Sequence, residues 1–155
     1  MELQGERLIP AGPERTWEAL NDPAILQDCI PGCETLVLDD DGSFAATMAL
    51  RLGPVSARMK GRLRLADVQP PRACTLHFDG QGGVAGFGKG SAQVELHPQQ
   101  AQTRLAWRAH AQVGGKMAQV GSRLVDAAAA KLIERFFDAF EARVHIPGPD
   151  GAQVP

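Results

Sequence analysis

The chain of 155 residues contains no tyrosine and only three cysteines. The absence of tyrosine removes the phenol group, which donates protons or hydrogen bonds in many active sites. The cysteines, Cys29, Cys33 and Cys74, are odd in number and lack the spacing of a zinc site or a disulfide framework. We therefore predict free, buried thiols, a reducing cytoplasmic location and no metal site.

A long hydrophobic run and an excess of basic charge are also missing. No apolar stretch approaches the roughly 20 residues that a membrane-spanning helix requires. Lysine and arginine total 16 against 18 aspartates and glutamates, which gives a formal charge of -2. Because phosphate contacts need a basic excess, this composition argues against nucleic-acid binding. At this length we expect one soluble domain with one hydrophobic core.

Most of the chain carries the two-residue periodicity of β-strands. The alternation is cleanest from Val55 to Leu65, where apolar and basic side chains occupy opposite faces. Two short helical segments follow a first strand over 3–10, and turn signals such as Asp41-Gly42 separate the later strands. The pattern predicts an α+β domain over residues 1–145 with about seven strands, followed by a disordered Pro/Gly tail over 146–155.

The periodicity becomes helical from Lys116 to Val144 and predicts one long amphipathic helix. Such a helix buries its apolar stripe most simply across the concave face of a curved sheet. Small residues between Gly121 and Ala130 leave volume where a collapsed core would carry leucine, so we expect a pocket between helix and sheet. Its predicted wall consists of the inward-facing residues Phe44, Met48, Leu50, Met59, Leu63, Phe78, Trp107, Met117, Val120, Leu124 and Ala128.

Four basic residues repeat at every second position on the other face of the cleanest strand: Arg58, Lys60, Arg62 and Arg64. Like charges that line one face repel each other unless an acidic group faces them. A solvated face balanced by acidic neighbours is the simpler interpretation. The alternative is a face that binds an acidic partner protein or anionic lipid headgroups.

Two patterns that suggest nucleotide binding or catalysis are incomplete. The segment from Gly83 to Lys89 imitates the opening of a P-loop, but Gly90 replaces the required Ser or Thr and a strand pattern follows instead of a helix. His77 and Asp79 alternate with inward-facing apolar residues, so we expect both on the outer face of the sheet. The sequence therefore predicts no nucleotide site and no catalytic residues.

Two longer motifs are more specific: Cys-Ile-Pro-Gly-Cys-Glu at 29–34 and Gly-Gly-Lys-Met-Ala-Gln-Val-Gly at 114–121. Together with Trp17 to Leu20, Asp22-Pro23 and Gly53-Pro54-Val55, these motifs resemble the CoxG family of carbon monoxide dehydrogenase accessory proteins, within the START-like superfamily. The resemblance implies a helix-grip fold. In that fold a curved antiparallel sheet of about seven strands is combined with two short helices and a long C-terminal helix.

The same resemblance implies a function. It suggests a non-catalytic accessory of a molybdenum-containing dehydrogenase, with a quinone or lipid in the grip cavity and no covalent cofactor. We therefore expect a hydrophobic small molecule as ligand, a molybdenum-containing dehydrogenase as partner, and peripheral contact with the inner face of the cell membrane. Two alternatives stay open. A START-like cyclase or hydratase would need a polar cluster inside the cavity, and a docking protein would have a closed cavity and use its basic face.

Overall fold

A computed structural model of the chain describes residues 1–145, and the tail predicted for 146–155 lies outside the described residues. The strands are β1 (Glu2–Ile9), β2 (Cys33–Leu38), β3 (Phe44–Leu52), β4 (Val55–Gln69), β5 (Ala73–Gln81), β6 (Phe87–Gln99) and β7 (Gln102–Gly114). They form one antiparallel sheet in the order β1-β7-β6-β5-β4-β3-β2. Consecutive strands from β2 to β7 are therefore hairpin neighbours, and the predicted curved antiparallel sheet is confirmed.

Two short helices and one long helix accompany the sheet. Helices α1 (Pro13–Leu20) and α2 (Pro23–Cys29) connect β1 to β2, and α3 (Ser122–His145) follows β7. Both short helices begin with proline, which suits a first helical position because the N–H it lacks would have no partner there. Asp22 caps α2 by accepting a hydrogen bond from the backbone N–H of Ala24 at 3.0 Å.

The motif at 29–34 forms the connection between α2 and β2. Cys29 is buried at the end of α2, and Cys33 begins β2. Gly32 lies between them with a φ of +79°, and a Cβ there would collide with the carbonyl oxygen of Ala49 on β3. The backbone of Gly32 accepts a hydrogen bond from the N–H of Ala49 at 2.8 Å. The motif therefore positions β2 at the edge of the sheet, and glycine is required for this close approach.

The long helix begins later than the sequence predicts. Residues Gly115–Val120 form a 3-10 turn, and Gly121 then adopts a φ of +101°, which residues with side chains rarely take. The regular helix therefore starts at Ser122 rather than at Lys116. The burial of its first turns also differs from the prediction, because Val125 is buried whereas Leu124 is 37% exposed.

The buried apolar side chains form three separate clusters. The main cluster joins α1, α2 and the second half of α3 to one end of the sheet and contains Ile9, Ala19, Ile25, Cys29, Cys74, Val94, Leu96, Leu105, Phe137, Phe140 and Val144. The 3-10 cluster lies at the other end and contains Ala57, Met59, Ala85 and Met117. The β2 cluster contains Leu26, Leu36 and Phe44. The single core expected from the sequence is therefore divided, and within residues 1–145 no buried cluster occupies the middle of the inner face.

Candidate functional site

Small residues lie side by side across the middle of the inner face of the sheet. Gly61 on β4 is opposite Gly80 on β5, and Gly80 is opposite Gly88 on β6. Ala46 on β3 and Val113 on β7 complete this line of residues, which we call the glycine row. Because its central positions carry no side chain, the sheet contributes only backbone atoms to the space above them.

Two of these glycines have free space where a side chain would project. A Cβ at Gly88 would meet nothing closer than the carbonyl oxygen of Gln112, at 3.9 Å. A Cβ at Gly80 would lie 3.5 Å from Cε of Met59. Both distances are ordinary van der Waals contacts, so crowding does not explain why these positions are glycine. The absent side chains leave volume between sheet and helix.

The side of α3 that approaches this space is also built from small or incompletely packed residues. Ala128, Ala129 and Leu132 are half-buried, and none belongs to a core cluster. Phe78 on β5 is likewise half-buried and outside all three clusters. The middle of the inner face therefore presents apolar side chains that their own neighbours do not fully cover.

The predicted wall residues divide into groups in the structure. Phe44, Met59 and Met117 are buried members of the β2 and 3-10 clusters. Phe78, Val120, Leu124 and Ala128 belong to no cluster, and they are the predicted wall residues that remain least covered. The others are half-buried against a cluster: Met48, Leu50, Leu63 and Trp107.

Trp107 has a further structural contact. Its indole stacks on the ring of Phe137 in α3, with ring centroids 6.2 Å apart, and lies flat against the backbone of Gly5 on β1. The ring therefore forms the boundary between the main cluster and the middle of the inner face. A ligand in that space would contact one edge of this tryptophan while its other side stays in the core.

One charged residue on the inner face was missed by the sequence analysis. Arg7 on β1 donates hydrogen bonds to the carboxylates of Asp138, at 3.1 Å, and Glu141, both on α3. Its guanidinium also lies 5.5 Å from the ring centroid of Phe137. Arg7 therefore joins β1 to the second half of α3. Because its donors are engaged by two carboxylates, it does not form the free polar cluster that a cyclase or hydratase would need.

We expect the Arg7→Met variant to lose about 1–3 kcal/mol of unfolding free energy, because two carboxylates on α3 lose a charged partner. Urea denaturation measures this loss. Arg104→Met is the matched control, since Arg104 pairs with Glu6 at 2.9 Å on the outer face, where such pairs contribute less than about 1 kcal/mol. Equal effects of the two substitutions would contradict the assigned role of Arg7.

The basic row on the outer face of β4 is balanced by acidic groups at alternate positions. Arg58 pairs with Glu34 at 2.9 Å. Arg62 lies 3.4 Å from a carboxylate oxygen of Asp39 and 3.5 Å from one of Asp41. For Lys60 and Arg64, the part of the chain that the structure describes shows no carboxylate within 4.0 Å. The row thus combines neutralised and free cations.

The acidic turn beside this row is itself ordered by hydrogen bonds. The hydroxyl of Ser43 donates to Asp41 at 2.6 Å, and its backbone N–H donates to the same carboxylate at 3.0 Å. These bonds hold the pKa of Asp41 below its ordinary value. A groove of about 450 Å³ lies on the outer face next to this turn, and His77 and Asp79 line it as members of that face.

The cysteines are free, and Cys29 and Cys74 are buried as predicted, whereas Cys33 is half-buried. Burial raises the pKa of all three thiols, so the reactive thiolate is disfavoured near neutral pH. Among residues 1–145 no group of three or more His, Cys, Asp and Glu side chains is placed to hold a metal ion. No helix in the same range has the length and apolar character needed to cross a bilayer.

The fold places the chain among START-like helix-grip proteins. A START superfamily protein from Mycobacterium smegmatis matches it with a TM-score of 0.70 at 15% identity, over 92% of this chain and 96% of that chain. The Zhui aromatase/cyclase from Streptomyces sp. R1128 matches with a TM-score of 0.68 at 12% identity, over 94% of each chain. At these identities the likeness shows the fold alone.

A family model gives the more specific assignment. The model of the carbon monoxide dehydrogenase protein CoxG matches residues 5–145, so the chain belongs to the CoxG family. A conserved protein from Geobacillus kaustophilus is similar in structure, with a TM-score of 0.87 and 29% identity over 93% of this chain and 95% of that chain. No curated protein matches this chain in sequence.

Proposed function

We propose that this protein is a non-catalytic accessory that binds a hydrophobic small molecule, a quinone or a lipid, between the glycine row and α3. The observation that carries the proposal is the division of the core: three packed clusters surround an inner face whose central residues are glycine and alanine. Family membership and the START-like fold support a ligand-binding domain.

Binding would be driven by burial of apolar surface. A ligand that removes about 300 Å² of apolar surface from water gains roughly 7 kcal/mol at 25 cal/mol per Å², before the costs of association. The central glycine row offers no side chain that could form a directional bond. The site therefore suits a flat ring or a prenyl chain better than a polar metabolite.

A non-catalytic role fits the polar groups of the interior better than an enzymatic role. The one charged residue that we identify on the inner face, Arg7, is held by Asp138 and Glu141. Membership of a family of accessory proteins points the same way. A START-like enzyme stays the alternative, because the aromatase/cyclase shares the fold.

The partner and location are proposed from the family. We infer that the protein acts with a molybdenum-containing dehydrogenase at the inner face of the cell membrane. Support comes from membership of the CoxG family of carbon monoxide dehydrogenase. Co-purification of such an enzyme with the tagged chain at low salt tests this partner, and its absence at every salt concentration would contradict the assignment.

Ligand binding is tested on protein purified without detergent. Because the chain has no tyrosine, its intrinsic emission comes from Trp17 and Trp107 alone, and a quinone beside Trp107 should quench it. We expect titration with ubiquinone-1 to quench saturably in the micromolar range, about -8 kcal/mol. Native mass spectrometry should show the matching one-to-one complex.

The Trp17→Phe variant serves as the control for this titration. It should retain the quenching, because Trp17 lies on α1 and packs against the main cluster rather than in the middle of the inner face. A mass spectrum and an emission spectrum that both stay unchanged with ubiquinone-1 and with phospholipid would contradict the proposed function.

A further inference from the structure

One end of the domain combines three connections that contain no acidic residue. Aspartate and glutamate are absent from residues 42–66, 80–94 and 96–125, although the whole chain carries 18 of them. These stretches include the β3–β4 turn, the β5–β6 connection and the segment from β7 into α3. The net charge of -2 for the whole chain therefore hides a strongly polarised distribution.

The three connections meet in space. A Cβ at Gly53, in the β3–β4 turn, would lie 2.7 Å from Cδ2 of Leu124 in the first turn of α3. A Cβ at Gly115, in the 3-10 turn, would lie 2.5 Å from Cα of Gly86 in the β5–β6 connection. We call this end, formed by residues 51–55, 82–87 and 115–124, the loop pole.

The loop pole exposes large apolar side chains. Val84 is 90% exposed at the tip of the β5–β6 connection, and Phe87 and Leu124 are 38% and 37% exposed. Each of these residues comes from a different part of the pole rather than from one flat surface. Behind them lie the 3-10 cluster and the open end of the glycine row, at Gly80 and Gly88.

The same end carries cations without carboxylate partners. Arg51, Lys116 and Arg123 are exposed, and the described part of the chain shows no carboxylate within 4.0 Å of them. Among nearby acids, Glu34 is paired with Arg58. Asp126 lies one turn farther along α3 than the first helical residues.

Arg123 is unfavourable for the helix that contains it. It lies in the first turn of α3, where no acidic residue is present and where the helix dipole disfavours a cation. Helix stability therefore does not account for a basic residue at this position. Attraction to an external anionic surface does account for it.

We propose that the loop pole docks on an anionic lipid surface, with its exposed apolar side chains entering the headgroup region and its cations near the lipid phosphates. The inference rests on the proposed function, since an apolar ligand could then pass between the bilayer and the space beside Gly80 and Gly88. A fluid bilayer accommodates apolar residues that project from separate loops, whereas a protein partner requires a packed, complementary patch. The basic charge selects an anionic surface.

Vesicle co-sedimentation tests the proposal. The full chain is mixed with vesicles of phosphatidylcholine alone or with about 30 mol% phosphatidylglycerol, and we expect partitioning only into the anionic vesicles, weakened by salt. The double variant Lys116→Glu/Arg123→Glu should bind at least about 25-fold more weakly, because each basic residue contributes about 1 kcal/mol. Loss of the unfavourable Arg123 should leave its melting temperature unchanged or higher.

The double variant Arg72→Glu/Arg135→Glu is the matched control. It makes the same change in charge at exposed positions in the β4–β5 turn and the second half of α3, away from the loop pole. Its vesicle binding should stay within about threefold of the wild type, since charges beyond a Debye length are screened. Equal losses in the two double variants would overturn the proposal.

Three further outcomes are informative. Absence of wild-type binding to anionic vesicles, or equal binding to neutral ones, overturns the proposal, and so does pole-dependent binding to an acidic protein without vesicle binding. Quinone titration in solution separates this result from the proposed function. The Lys116→Glu/Arg123→Glu variant should bind ubiquinone-1 with unchanged affinity. If the wild type docks on vesicles through the pole but binds no quinone, the proposed function fails and the docking surface stands.

Discussion

The Gly88→Leu variant should fold normally and lose ubiquinone-1 binding, by at least about 30-fold, or about 2 kcal/mol. The leucine side chain would project into the open space over the glycine row, where a Cβ at Gly88 meets nothing closer than 3.9 Å. Its melting temperature should be unchanged or higher, because glycine inside a strand costs roughly 0.5–1 kcal/mol. Thermal denaturation and the fluorescence titration measure the two effects.

Two variants control this experiment. Gly88→Ala adds a single methyl group and should retain ligand binding. Gly90→Ala, two residues along β6, should be destabilised even though its added group is equally small. A Cβ at Gly90 would lie 2.8 Å from Cα of Ala111 and 2.9 Å from Cζ of Phe78, and would collide with a neighbouring carbonyl oxygen. If the Gly88→Leu variant instead loses about 1–3 kcal/mol, as overpacked cores do, the space is already filled.

Truncation of Phe140 should destabilise the protein strongly, whereas truncation of Phe78 should not. Phe140 is fully buried in the main cluster and stacks on Phe136 with ring centroids 5.6 Å apart. The Phe140→Ala variant should therefore lose about 3–5 kcal/mol of unfolding free energy. Phe78 belongs to no cluster and is half-buried, so Phe78→Ala should cost less than about 1.5 kcal/mol.

Ligand affinity should show the opposite order. Removing the Phe78 ring takes apolar surface from the proposed wall and should weaken ubiquinone-1 binding about tenfold. Phe140 lies in the packed main cluster, so its effect should be confined to stability. Urea denaturation and quinone titration of both variants give the comparison. Equal losses of stability at the two positions would indicate a continuous core and would argue against an open interior.

Local sequence signals predicted the elements of this fold well. Alternation from Val55 to Leu65 identifies β4 and its buried face because a strand has a fixed period of two. The motif at 29–34 and the late glycine-rich segment pointed to the family that the match over residues 5–145 shows. Turn residues such as Gly42 and Gly53 marked the hairpins correctly.

Features that depend on contacts between distant segments were not predicted. The glycine row exists only because register aligns Gly61, Gly80 and Gly88 across three strands, and periodicity within one strand does not give that register. The start of α3 was misplaced because Gly121 ends the 3-10 turn, whereas a helical pattern continues through it in the sequence.

The Arg7 contact with α3 shows the same limit. Arg7 and Asp138 are 131 positions apart in the chain, and the alternation of β1 gives only the face on which Arg7 lies. Its carboxylate partners follow from the way α3 packs on the sheet. The candidate ligand site was thus predicted in its general place, between sheet and helix, while its detailed wall depends on tertiary packing.

The most direct test of an open interior is a crystal of the protein pressurised with xenon, because xenon enters apolar cavities and is located by its anomalous scattering. The account predicts a xenon peak between the glycine row, near Gly80 and Gly88, and Ala128 of α3. A structure in which side chains of α3 fill that space, with no xenon bound there, would contradict the account.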